Sequence, residues 1–196
     1  MTKEKRLLEL YEKCRGCNGC PLHKTRTNCV FGKGNPEAKV MFIGEAPGET
    51  EDQRGLPFVG KAGMLLDKFF LAADIGMDEI YVANILKCRP PNNRVPEEAE
   101  AAACRLHLRN QFALVRPQVI VLLGSTAAKN VLGPEIRITR DRGRWFERKG
   151  VWFMPTYHPS ALLRDPAKKR EAWEDMQSLR DRLMELGLYQ DIYGNA

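Results

Sequence analysis

Val40-Met-Phe-Ile-Gly-Glu-Ala-Pro-Gly48, a mixed stretch over 49–56, and then Pro57-Phe-Val-Gly-Lys-Ala-Gly63 decide how this chain is read. An apolar run of strand formers stops at Gly44. A loop with glycines and prolines at fixed places follows, and a helix is expected to begin near Lys61. Ligands of open α/β sheets bind outside the carboxyl ends of the strands, where this loop would sit. Glycine at 44, 48, 60 and 63 lets backbone approach a flat ligand closely, and Phe58 offers a face for stacking. Read alone, the same residues fit a tight strand-to-helix turn over a buried Phe just as well.

Working outward, three more apolar runs read as strands, so that the expected set is 39–43, 80–86, 118–123 and 151–155. The first three place apolar residues on consecutive positions, as strands covered on both faces do. Helical patterns fall at 4–13, 61–75, 97–115, 125–132 and 166–187. Pro96, Glu97 and Glu98 suit a helix start, Gly76 and Gly133 suit helix stops, and Pro117 ends the third pattern. Strands alternating with helices predict an α/β fold: a three-layer α/β/α arrangement around a central four-stranded, mainly parallel sheet.

The chain has 196 residues, 43% of them hydrophobic, which suits one domain over 1–196 and leaves little for a second. No apolar run approaches the ~18 residues of a membrane span, and Met1-Thr-Lys-Glu-Lys-Arg6 is no signal peptide, so a cytoplasmic protein without membrane contact is expected. The net charge of +6 and pI of about 9.1 favour a polyanionic partner without requiring one. Charge concentrates between Arg137 and Lys149, where Arg142 and its neighbours flank Trp145 and Phe146. Arginine beside aromatics suits phosphate and base contact, and a solvated loop with core aromatics fits the same residues.

Cys14, Cys17 and Cys20 recur every third position in a cysteine-rich loop over 14–35, with Cys88 and Cys104 far downstream. In a cytosolic chain such a set is better explained by metal than by disulfides. Two of the triplet with Cys88 and Cys104 make a four-thiolate site able to hold zinc or an iron–sulfur cluster, and ligand count does not choose between them. Cys29 has no partner by spacing and reads as structural.

The motifs Cys17-Asn-Gly-Cys20-Pro-Leu-His23, Gly44-Glu-Ala-Pro-Gly48, Gly55-Leu-Pro-Phe-Val-Gly-Lys-Ala-Gly63, Asn84-Ile-Leu-Lys-Cys88-Arg-Pro-Pro-Asn-Asn-Arg94, Cys104 and Pro155-Thr-Tyr-His158-Pro-Ser-Ala-Leu-Leu-Arg164 occur in that order. So ordered, they closely resemble the family 4 uracil-DNA glycosylases, the iron–sulfur branch of their superfamily, from about Cys17 to Leu186. The resemblance implies a structural 4Fe-4S cluster held by Cys17, Cys20, Cys88 and Cys104, with Cys14 an extra thiol. It implies a DNA-repair glycosylase that hydrolyses the bond from uracil to deoxyribose.

Such an enzyme must flip the nucleotide out of the duplex. It must also stabilise charge developing on uracil O2. The resemblance places Gly44, the backbone N–H groups of Glu45 and Ala46, Phe58, Asn84 and His158 around the uracil, with Glu51 as the wall that excludes the thymine methyl. Glu45, Asn84 and His158 are the implied catalytic residues. Ala46 stands where another branch carries a water-positioning Asp, which leaves Glu45 or electrostatics alone to assist the water. DNA, single- or double-stranded, is expected to meet Ser160, Leu163, Arg164 and Arg142, with Leu162, Leu163 or Arg164 as the wedge and the protein as a monomer. Two other readings keep these residues: a glycosylase for other deaminated bases, and a non-catalytic iron–sulfur DNA-binding or replication-associated protein.

Overall fold

The computed structural model describes residues 1–189. Its strands are β1 (Lys33–Gly34), β2 (Val40–Gly44), β3 (Ile80–Asn84), β4 (Val119–Leu123), β5 (Phe146–Arg148) and β6 (Val151–Thr156). They form one sheet in the order β1-β3-β2-β4-β6-β5. The inner four run parallel, and β1 and β5 pair antiparallel at the two edges. Every residue of β2, β3 and β4 is buried, as their unbroken apolar runs predict. The expected count of four strands is corrected to six, because the edge strands have only two and three residues and no apolar run. The expected strand 80–86 ends at Asn84, although the N–H groups of Ile85 and Leu86 still reach Gly44 O (2.9 Å) and Glu45 O (3.1 Å).

The helices are α1 (Lys3–Arg15), α2 (Glu49–Arg54), α3 (Lys61–Ala72), α4 (Glu98–Val115), α5 (Ser125–Leu132), α6 (Ile138–Asp141), α7 (Pro159–Arg164) and α8 (Lys169–Glu185). On one face Met41, Ile43, Ile120 and Leu122 meet Leu7 of α1, Leu108 of α4 and Ala128 of α5. On the other, Phe42, Val82, Val121 and Met154 meet Leu66 and Phe70 of α3 and Met176 and Leu179 of α8. The rings of Phe42 and Phe70 lie edge to face, 4.7 Å between centroids. Burying each of the Val, Leu, Ile, Phe and Met side chains among these contributes roughly 1.5–3 kcal/mol. The fold is thus α/β/α in three layers. Among the described residues no helix is long and apolar enough to cross a membrane.

α2 was not expected, since Glu49-Thr-Glu-Asp-Gln-Arg54 carries no apolar stripe. Acidic side chains in its first turn suit the positive end of a helix. Its Asp52 is buried and accepts the N–H groups of Thr27 (2.9 Å) and Asn28 (3.2 Å), which fastens the cysteine loop to it. Because the inner strands are parallel, Gly44, Asn84, Leu123 and Thr156 all end on one side. β2 has β3 on one flank and β4 on the other, which makes this the switch point where ligands of open sheets bind.

Candidate active site

A cleft of about 670 Å³, open mouth included, lies beyond those strand ends. Its walls come from separate elements: Ala46 and Gly48 after β2, Glu51 of α2, Phe58 and Ala62, Asn84 of β3, Asn93, and His158, Ser160 and Arg164. A second, apolar hollow lies between α4 and α5 over Ile43, Leu108 and Phe153. Its lining includes Arg105, Arg109 and Asn130 but none of the residues expected to do chemistry.

Asn84 is 2% exposed, and its Oδ1 accepts no hydrogen bond from the protein. Leaving a buried acceptor unmet costs about 1–3 kcal/mol, so such an atom in a cleft is a candidate ligand contact. Gly44 makes room for it. A Cβ on Gly44 would collide with Asn84 Oδ1 and stand 2.6 Å from Phe58 Cζ. Here the glycine clears space for two side chains.

Phe58 is buried with φ of 52°, a left-handed conformation that a bulky residue rarely adopts. Three contacts hold it. Glu51 Oε1 accepts the N–H groups of Val59 (2.9 Å) and Gly60 (2.7 Å), and Lys33 Nζ donates to Phe58 O at 3.3 Å. On the inner side, a Cβ on Gly63 would collide with the Phe58 carbonyl. The first turn of α3 therefore packs directly on this backbone.

His158 is the N-cap of α7, and its Nδ1 accepts the Ser160 N–H at 3.1 Å. Ser160 Oγ lies 2.8 Å from the same nitrogen. A ring nitrogen that accepts an N–H carries no proton, so the neutral imidazole holds its proton on Nε2. Burial, helped by Arg164 and opposed by Glu51, pushes the His158 pKa down to about 4. The ring is a neutral hydrogen-bond donor, tilted 34° to Phe58 with centroids 5.9 Å apart.

Away from the cleft, Cys17, Cys20, Cys88 and Cys104 border one hollow of about 290 Å³ together with Cys14, Arg26 and Lys87. Three sulfurs already receive N–H donors: Cys17 from Gly19 N (3.4 Å), Cys104 from Lys87 N (3.3 Å) and Cys88 from Arg26 Nη1 (3.0 Å). Such donors, and a wholly buried lysine beside them, suit sulfurs that ligate a metal centre. Among the described residues no three His, Cys, Asp or Glu side chains close on a single point. The donor set fits a group that spans the hollow. Cys29, read from spacing as unpartnered, lies with its Sγ 3.1 Å from Cys14 Sγ, both thiols buried.

Residues 31–177 match the family model described as the uracil DNA glycosylase superfamily. The chain is 41% identical over 192 residues to a type-4 uracil-DNA glycosylase of Thermotoga maritima, covering 95% of this chain and 99% of that one. It is 40% identical over 185 residues to one from Sulfurisphaera tokodaii, covering 89% and 84%. A third, from Archaeoglobus fulgidus, is 40% identical over 179 residues, covering 87% and 90%. The chain belongs to the type-4 uracil-DNA glycosylase family.

In this type-4 chain the cleft brings Ala46, Glu51, Phe58, Asn84, His158, Ser160 and Arg164 together, with Gly44 packed behind Asn84 and Phe58. Glu45 Oε2 accepts the Thr126 hydroxyl at the start of α5, and the Glu45 carbonyl accepts the Leu86 N–H. Thr126 and Asn93 were not singled out from sequence. Asn93 has φ of 54° and accepts Arg89 Nε at 2.8 Å. Two asparagines after Pro90-Pro91 were the available signal, because Asn tolerates the left-handed turn.

Of the three wedge candidates, Leu162 is 2% exposed and belongs to the core, Leu163 is 45% exposed, and Arg164 lines the cleft. Arg142 lies elsewhere. It pairs with buried Asp175 at 2.8 Å and donates to the Glu171 carbonyl. Its neighbours are similarly engaged: Arg140 and Arg144 pair with buried Asp141, and Arg148 donates to Val131 O and Leu132 O. Trp145 donates to Ser178 Oγ at 3.0 Å, and Arg182 stacks over Trp152 at 4.3 Å. This basic segment ties the edge of the sheet to α8.

Proposed function

We propose that this protein hydrolyses the N-glycosidic bond of deoxyuridine in DNA, releasing uracil and leaving an abasic site. The observation that carries this reading is the buried, unmet Oδ1 of Asn84 in one cleft with Phe58 and a neutral His158. Uracil flipped into the cleft stacks on Phe58. Asn84 accepts from uracil N3–H and donates to O4, a pairing that cytosine reverses. Glu51, fixed by Val59 and Gly60, walls off the 5-methyl of thymine.

Bond cleavage leaves positive charge on the sugar and negative charge on uracil O2. His158 Nε2–H and the backbone N–H groups of Glu45 and Ala46 are the donors for that oxygen. Donors already oriented contribute more than ones that must reorganise. A neutral imidazole suits this work, since it donates Nε2–H without a full charge having to be buried in the cleft. The carboxylate of Glu45 is held by Thr126, so it shapes the loop and leaves water activation to the electrostatics of the cleft. Ser160, Leu163 and Arg164 meet the DNA, with Leu163 as the wedge and salt-sensitive binding from the phosphates.

Family membership and four thiols that border one hollow support a 4Fe-4S cluster on Cys17, Cys20, Cys88 and Cys104. Bound there, it supplies no reacting group and fastens the cysteine loop to α4 and to the segment after β3. We read the protein as a cytoplasmic monomer acting on single- or double-stranded DNA. The test is to incubate aerobically purified protein with a uracil-containing oligonucleotide, without added metal, and then treat with alkali. Strand cleavage at the uracil is expected. An intact strand from brown, DNA-binding protein would overturn the reading in favour of a non-catalytic binding protein.

A further inference from the structure

Lys87 is 1% exposed, as deep as the core leucines around it. A Met or Leu would fill that space without the cost of removing an ammonium from water, so the charge needs an account. One of its donors goes to the backbone carbonyl of Asn84 at 2.7 Å, and its own N–H goes to Cys104 Sγ at 3.3 Å. It borders one hollow with Cys14, Cys17, Cys20, Cys88 and Cys104, alongside Arg26, His23 and His107. The surroundings compensate a buried cation only if sulfur there carries negative charge, and a cluster on four thiolates is a net anion. Along the chain, Lys87 lies between the amide that reads uracil, Asn84, and a ligand of the cysteine centre, Cys88.

We propose that Lys87 is the buried counter-cation of the cysteine centre and a positioning residue for Asn84, coupling the uracil cleft to that centre. This rests on the iron–sulfur reading given above. The experiment compares wild type with K87M, which keeps the shape and removes the charge, and K87R, which keeps the charge. Iron and acid-labile sulfide per chain, the reduction potential of the centre and single-turnover uracil release are measured on each.

K87M should shift the potential to more negative values, because a lost positive charge disfavours the added electron. It should also slow uracil release by roughly tenfold, the scale of partners that act through a metal ligand. K87R should restore both, and iron lost from K87M but kept in K87R would support the proposal equally. An unchanged potential in iron-loaded K87M, or equal iron loss in K87M and K87R, overturns it. Wild-type protein purified without iron would instead sink the reading of the centre, and the proposal with it.

Discussion

Charging His158 is the perturbation whose consequences the structure defines most fully. To become an imidazolium the ring must place a proton on Nδ1, the atom that now accepts the Ser160 N–H at the start of α7. Burial and Arg164 oppose the added charge, and the pKa stands at about 4 against an ordinary 6.5. At about 1.4 kcal/mol per pH unit, that drop corresponds to about 3 kcal/mol of resistance to charging. The folded pKa lies below the unfolded one, so this stability is fully present above the unfolded value and is lost as pH falls through the folded value. The unfolding free energy of wild type relative to His158→Gln should therefore fall by about 3 kcal/mol between pH 6.5 and pH 4. Single-turnover uracil release should stay flat from about pH 8 to about pH 5 as far as this group is concerned. Imidazole nitrogen NMR reads both the midpoint and the tautomer. A midpoint near 6.5, or a neutral ring protonated on Nδ1, would refute the reasoning.

Asn84→Ala and His158→Ala should each slow single-turnover uracil release more than about tenfold, a lost contact of at least ~1.4 kcal/mol, and near-wild-type rates in both would remove them from the mechanism. Cys17→Ser should lose iron and visible absorbance, whereas Cys14→Ser should keep them, because the Cys14 thiol lies against Cys29; equal loss in both would overturn the ligand set. Gly63→Ala pushes a methyl into the Phe58 carbonyl. It should cost about 1–3 kcal/mol in denaturant unfolding and slow cleavage as well, so an unmoved midpoint would count against that packing. Leu163→Ala should slow excision from duplex by roughly tenfold and leave single-stranded substrate alone, since only the duplex needs a wedge; equal effects on both substrates would point to a general contact.

The parallel strands were legible because β2, β3 and β4 are covered on both faces and leave unbroken apolar runs. The edges were not. Lys33–Gly34 and Phe146–Arg148 pair on one side only, and pairing so brief needs no apolar signature. α2 escaped for a related reason: it offers carboxylates to loops rather than a stripe to the core. At the site, Phe58, Asn84 and His158 were found through their motifs, yet what holds them was not. The glutamate expected to wall the pocket also clamps the Phe58 turn, and the tautomer of His158 is set by a cap two residues on. Thr126 beneath Glu45, and Cys29 beside Cys14, are meetings of residues distant in sequence, which spacing along one chain does not reveal.

The crossover arrangement of the sheet has a consequence for how the protein comes into being. Val40 pairs with Ile80 on one side and Val119 on the other, and β6, which leads into His158, joins only beyond β4. Non-local parallel pairing of this kind forms slowly, after its long connections have closed. A chain emerging from the ribosome carries Asn84 well before His158. On the proposed mechanism, the cleft is incomplete until the last parallel strand docks.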